Sequence, residues 1–245
     1  MSLLKKYEPR RLSEVVGQPA VRVLRAFAAE PRQDCFLLEG PGGIGKTASA
    51  HAFARELGCR PFPEHTFSGL QVIEGAALKT ETVQQLFGDN SPMRFRGVQT
   101  ERRDGVGWHC VVIEEFDWAS PQAQKALKTA LDPNNPKSPL RRWRVIVVAT
   151  SNGAGKIDGP LLQRFHVLPF SGGPTFADSC LERLQTIWQH EVGVEVRMPA
   201  GWDDVGWVSD PQSPSGKSFS MRVALKRLDM HAMLQRVVRG EEVLV

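Results

Sequence analysis

The chain has 245 residues, 41% hydrophobic and 24% charged, with a formal net charge of +4 at pH 7. That length and balance build a folded core with room for a smaller satellite, and exclude a disordered or fibrous chain. The mild positive excess permits a nucleic-acid partner without requiring one.

The opening MSLLKKYEPRRLSE lacks the apolar core of a signal peptide. No apolar run approaches the roughly 18 residues that span a bilayer, so no membrane partner is expected. Cys35, Cys59, Cys110 and Cys180 form no C-x-x-C pair and suggest neither a zinc site nor a disulfide framework. Cys35 and Cys110 lie within apolar runs and read as buried thiols, which suits a reducing cytoplasm.

In chain order, Pro19 opens a helix carrying Val21, Leu24, Arg25 and Ala28. The run 35-CFLLE-39 reads as a strand and 45–57 as an alanine-rich helix. Further strands follow at 71-QVIE-74 and 109-HCVVI-113. A helix over 120–131 has Ser120 as its N-cap and Pro121 at its first position. Then come a strand at 144-RVIVVA-149 and a weaker one at 166-HVLPF-170. Near-continuous apolar strands alternating with helices predict an α/β fold with a parallel five-stranded sheet covered on both faces.

After 171-SGGP-174 the pattern turns helical. Phe176, Cys180, Leu184 and Trp188 are spaced for a helix over 175–191, and Met221, Leu225, Leu228 and Met233 for another over 219–237. The alternation 192-VGVEV-196 allows an extended stretch, and 209-SDPQSPSGKS-218 reads as a loop. The expected division is an α/β core over 1–170 and a small helical lid domain over 171–245.

The segment 40-GPGGIGKT-47 packs four glycines, a lysine and a threonine behind the first strand. It fits G-x-x-x-x-G-K-[ST] in the required strand–loop–helix setting. The backbone of Gly40, Pro41, Gly42, Gly43, Ile44 and Gly45 is suited to enclosing phosphate oxygens, helped by the following helix dipole. Lys46 is the candidate counter-charge to the β- and γ-phosphates, and the Thr47 hydroxyl a ligand for Mg²⁺. The run 109-HCVVIEEFD-117 ends an apolar strand in two carboxylates, where α/β folds bind ligands. Adjacent carboxylates repel unless a cation or water lies between them. Glu114 is therefore assigned to Mg²⁺ and Glu115 to polarising the attacking water.

These motifs, taken with their neighbours, make residues 5–235 resemble the AAA+ ATPases, and within them clamp-loader small subunits of the replication factor C and DNA polymerase III gamma type. The start 5-KKYEPRRLSEVVGQ-18 resembles the family's adenine-wrapping segment, which brings in Val16 and Gly17. The segment 113-IEEFDWASPQAQKALKTALD-132 resembles the metal-binding strand and following helix. The family usually has aspartate at Glu114, and the extra methylene moves the carboxylate by about 1.5 Å, one C–C bond. Asn152, in 147-VVATSN-152, matches the sensor-1 position facing the γ-phosphate. Arg164, in 161-LLQRF-165, matches an arginine that reaches the neighbouring subunit's ATP site, although Gln163 and Phe165 depart from its usual neighbours. Arg222, in 219-FSMRVALKRL-228, matches the sensor-2 arginine of the lid.

The resemblance implies ATP and Mg²⁺ as cofactors and ATP hydrolysis that needs a neighbouring AAA+ subunit in a hetero- or homo-oligomer. It also implies primer–template DNA and a sliding clamp as partners, wherever DNA is replicated. For DNA, Arg94, Arg96, Arg102 and Arg103 in 94-RFRGVQTERR-103 are the favoured contacts. The cluster 137-KSPLRRWR-144 comes second, and Phe95 and Trp143 are candidates for stacking on bases. No counterpart of the family's collar domain follows before Val245. Two alternatives stay open: a DNA-remodelling motor of the branch-migration helicase kind, and a regulatory subunit that binds ATP with little turnover.

Overall fold

The computed structural model describes residues 1–59, 69–89, 91, 107–209 and 219–238. Five strands form its centre: β1 (Asp34–Glu39), β2 (Leu70–Glu74), β3 (His109–Glu114), β4 (Val145–Ser151) and β5 (His166–Pro169). All pair in parallel, in the order β2-β3-β4-β1-β5. The three inner strands are buried along almost their whole length, so their sequences read as unbroken apolar runs. The edge strands are more exposed, at Val72 in β2 and at every β5 residue but Leu168, which weakens the signal at β5.

The helices are α1 (Leu3–Lys6), α2 (Val21–Ala29), α3 (Lys46–Glu56), α4 (Thr80–Phe87), α5 (Pro121–Ala130), α6 (Pro139–Arg142), α7 (Gly159–Leu162), α8 (Pro174–Glu191) and α9 (Met221–Val238). Because strand side chains alternate between faces, the sheet feeds two cores. Phe36, Leu38, Val112 and Val148 pack with Leu24 of α2, Phe53 of α3 and Leu184 of α8. Leu37, Val111, Ile113 and Val147 pack with Phe87 of α4, Leu127 of α5 and Phe165. Ser120 caps α5, its Oγ accepting from Ala123 N at 3.2 Å.

The turn at 171–173 separates β5 from α8. Here the secondary structure changes while the apolar core does not break. One cluster runs from Phe36 through Phe176 and Trp188 to Ala224, Leu228 and Ala232. Three expectations change. Residues 192–196 form turns rather than an extended stretch. Met233 is 48% exposed, because the inner stripe of α9 runs through Ala224, Leu225, Leu228 and Ala232 instead. Helix α4 has no counterpart among the expected elements. Of the loop expected at 209–218, residues 210–218 lie outside the described residues. No helix among the described residues is long and apolar enough to cross a membrane.

Candidate active site

Parallel register brings the carboxyl ends of β1, β4 and β3 to one edge, with Glu39 opposite Ser151 and Ile113 opposite Ala149. The chain leaves β1 into the glycine-rich loop and re-enters as α3. Gly43 (φ 76°) and Gly45 (φ 97°) take left-handed backbone there, which side chains resist. A Cβ on Gly43 would collide with the Ser220 hydroxyl, and Met221 N donates to Gly43 O at 3.1 Å. The start of α9 is thus docked directly on the loop. Behind it, buried Gln18 donates to Ser171 O (2.9 Å) and Ile44 O (3.3 Å) and accepts from Ser171 N (3.1 Å). That single amide joins the N-terminal segment, the loop and the turn before α8.

Above the loop opens a cleft of about 630 Å³, within the range of small-molecule sites. Its lining brings together Val16, Gly42, Gly43, Ile44, Gly45, Lys46, Thr47, Glu115, Asn152 and Arg222. Lys46 is only 7% exposed. Its Nζ donates to Gly40 O and Pro41 O (both 2.6 Å) and to Asn152 Oδ1 (3.0 Å). Burial pulls its pKa down to about 8, with Asp117 and Glu115 opposing and Arg222 adding to the fall. A desolvated cation over left-handed glycines, at the positive end of α3, fits a chain of phosphates.

Glu115 is the one non-glycine residue with positive φ (50°) among the described residues. Thr150 Oγ1 accepts its amide at 3.1 Å. A Cβ on Gly75 would collide with the Glu115 carbonyl, so that glycine makes room for the kink. The kink breaks the strand alternation and directs the Glu115 side chain into the cleft while Glu114 faces α3. There Glu114 Oε1 lies 2.7 Å from His51 Nε2. The Thr47 hydroxyl and the Glu114 carboxylate are hard oxygen donors of the kind that suit Mg²⁺.

A family model described as "ATPase family associated with various cellular activities (AAA)" matches residues 36–171, more than half of the chain. The chain belongs to the AAA family. Among curated relatives, the replication factor C small subunit of Thermofilum pendens is 28% identical over 212 residues, covering 82% of this chain and 57% of the relative. That of Haloarcula marismortui is 27% identical over 191 residues, covering 77% and 52%. The replication factor C large subunit of Methanosarcina acetivorans is 51% identical over 59 residues, 22% of this chain and 10% of the relative. The chain thus spans about half the length of the small subunits it matches. Among solved structures, Thermotoga maritima RuvB, described as a Holliday junction branch migration motor, superposes with a TM-score of 0.67. That match covers 97% of this chain and 69% of RuvB at 19% identity, a likeness of fold.

Within this AAA chain, Gly17, Gly40, Pro41, Glu114 and Arg164 are not among the residues that line the cleft. Arg164 Nη2 pairs with Asp132 at 3.0 Å and its Nη1 donates to Pro160 O. Trp143 is buried beneath the sheet, so the stacking role considered for it is corrected: the indole belongs to the second core. Its neighbours Lys137 and Arg142 pair with Asp89, at 3.3 and 3.1 Å. Arg94, Phe95, Arg96, Arg102 and Arg103 lie outside the described residues.

Several site residues escape sequence reasoning. Asp117 Oδ1, two residues beyond Glu115, accepts from Asn152 N at 3.3 Å. Arg183 enters the cleft from α8, its guanidinium 5.9 Å from the Tyr7 ring. Gly75 and His51 carried no motif at all.

Proposed function

We propose that this AAA chain binds ATP in the cleft and hydrolyses it as one subunit of a clamp-loader-like assembly that acts on DNA in replication or repair. The observation that carries the reading is Lys46, a buried cation held by three oxygens at the floor of a glycine cradle. Such a side chain lacks a role in a mere turn and has a clear one beneath a polyphosphate.

The amides of Gly42, Gly43 and Gly45 and the start of α3 hold the phosphates, with Lys46 as counter-charge. Thr47 and Glu114 hold Mg²⁺, which when bound supplies Lewis-acid neutralisation of the phosphoryl oxygens. Glu115 accepts a proton from the attacking water. Asn152, anchored by Asp117, orients that water or the terminal phosphate. Arg222 reports the nucleotide to α9, whose first residue is already bonded to the loop. Val16 and Gly17 border the base. Arg164 acts in trans on a neighbour's nucleotide, and Arg94, Arg96, Arg102 and Arg103 meet the DNA backbone. Other AAA+ subunits, primer–template DNA and a sliding clamp are the proposed partners, in the cytoplasm or nucleus where DNA is replicated. Sequence kinship to replication factor C subunits favours the loader over a branch-migration motor, for which the likeness is one of fold alone.

The test is ATP turnover by the chain with its partner subunits, with and without primed DNA and clamp. Stimulation by primed DNA and clamp together, lost in Lys46→Ala, is expected. Strand displacement without a clamp would favour the motor, and tight ATP binding with negligible turnover the regulator.

A further inference from the structure

His51 stands one turn beyond Thr47 on α3, so both side chains leave the same helix face. Its Nε2 lies 2.7 Å from Glu114 Oε1, and the two side chains are only 19% and 26% exposed. An ionised carboxylate only accepts, so the imidazole Nε2–H donates. An aspartate in place of Glu114 would stop short of His51 by about 1.5 Å, one C–C bond. The longer carboxylate and the histidine therefore fit each other: the extra methylene carries the charge toward α3, and His51 fixes where it stops.

We propose that His51 is the positioning residue for Glu114, fixing the reach of its carboxylate against α3 so that it serves the Mg²⁺ site together with Thr47. The inference rests on the reading that the cleft takes ATP with Mg²⁺. A purely structural tie between helix and strand would influence nucleotide binding equally with and without metal. A positioning role acts only on the metal-dependent part.

The experiment measures binding of trinitrophenyl-ATP by fluorescence, in EDTA and across a Mg²⁺ titration, with each variant's thermal unfolding recorded. In His51→Ala, the Mg²⁺ needed for half of the metal-dependent tightening should rise by about tenfold, the usual loss when a ligand's hydrogen-bond partner is removed. Affinity in EDTA should stay at the wild-type value. His51→Gln, whose amide donor has a similar reach, should recover most of the shift. Glu114→Asp should show the shift by itself, and adding His51→Ala to it should change little, since the two act through one bond. A folded His51→Ala protein with wild-type Mg²⁺ requirement overturns the proposal, as does an equal loss in EDTA. Should His51→Ala not fold, Glu114→Asp shifted beside an unshifted His51→Gln supports the proposal, and both unshifted overturns it. Wild-type binding indifferent to Mg²⁺ overturns the metal assignment and this inference while leaving the ATP reading intact. Absence of any nucleotide binding overturns all three.

Discussion

Glu115 holds a left-handed backbone at a cost on the order of 1 kcal/mol. Its amide is held by Thr150, and its carbonyl fits only because Gly75 has no side chain. Strain of this kind persists where the surroundings over-determine it, commonly at catalytic positions. Gly75→Ala should therefore displace Glu115. ATP turnover should fall by up to about 100-fold, as misplacement of a reacting group does, while ATP affinity changes little. Steady-state kinetics beside equilibrium binding checks the split, and equal losses in both would assign Gly75 to folding alone. Glu115→Gln keeps the shape and removes the proposed base. It should bind ATP normally and hydrolyse it about 10²–10⁴ times more slowly, and a normal rate would transfer the role to another group.

At the scale of elements, the N-terminal segment that walls the cleft is clasped to the end of α8. Glu191, its side chain 3% exposed, accepts from Tyr7 and pairs with Lys6 at 2.6 Å. Burial opposes its charge, yet hydrogen bonds from Lys6, Tyr7 and His190 outweigh burial and hold its carboxyl down at about 2. A carboxyl depressed in the folded state from 4.5 contributes stability that is full above pH 4.5 and is lost as pH falls toward 2. Glu191→Gln should unfold at lower temperature at pH 7 and show a flatter decline between pH 4.5 and 2. A pH profile parallel to the wild type would remove Glu191 from that account.

This clasp also marks the limit of what sequence conveys. The strands buried on both faces, β1, β3 and β4, announce themselves as apolar runs because both neighbours exclude water. The loop 40–47 is legible because its chemistry is local. Helix α4 escapes notice because its eight residues bury only Val83, Leu86 and Phe87, too little for a clear period. Residues 192–196 alternate like a strand, but they fold as turns and, among the described residues, join no sheet. Glu191 lies 184 positions from Tyr7, and His51 lies 63 from Glu114. Single polar residues that meet only in the fold leave no pattern along the chain.

For the whole molecule, the question is whether one chain suffices. Arg164 is turned inward onto Asp132 and Pro160 and takes no part in lining its own cleft. Serving a neighbour's nucleotide requires that pair to open. Specific ATPase activity should then rise with protein concentration or on adding partner subunits, and Arg164→Ala should abolish the rise. An arginine supplied in trans is worth roughly 10³–10⁵ in rate. ATP affinity should barely change, because the contact matters in the transition state. Activity that is high, flat on dilution and indifferent to Arg164→Ala would rule out shared sites.

The central claim is that the cradle around Lys46 holds ATP, and equilibrium binding of ATP to the wild type and to Lys46→Ala tests it most directly. Saturable binding by the wild type is expected, weakened on the order of 10–100-fold in Lys46→Ala by loss of charged hydrogen bonds, with cooperative unfolding retained. Equal affinity in a folded Lys46→Ala protein would contradict it.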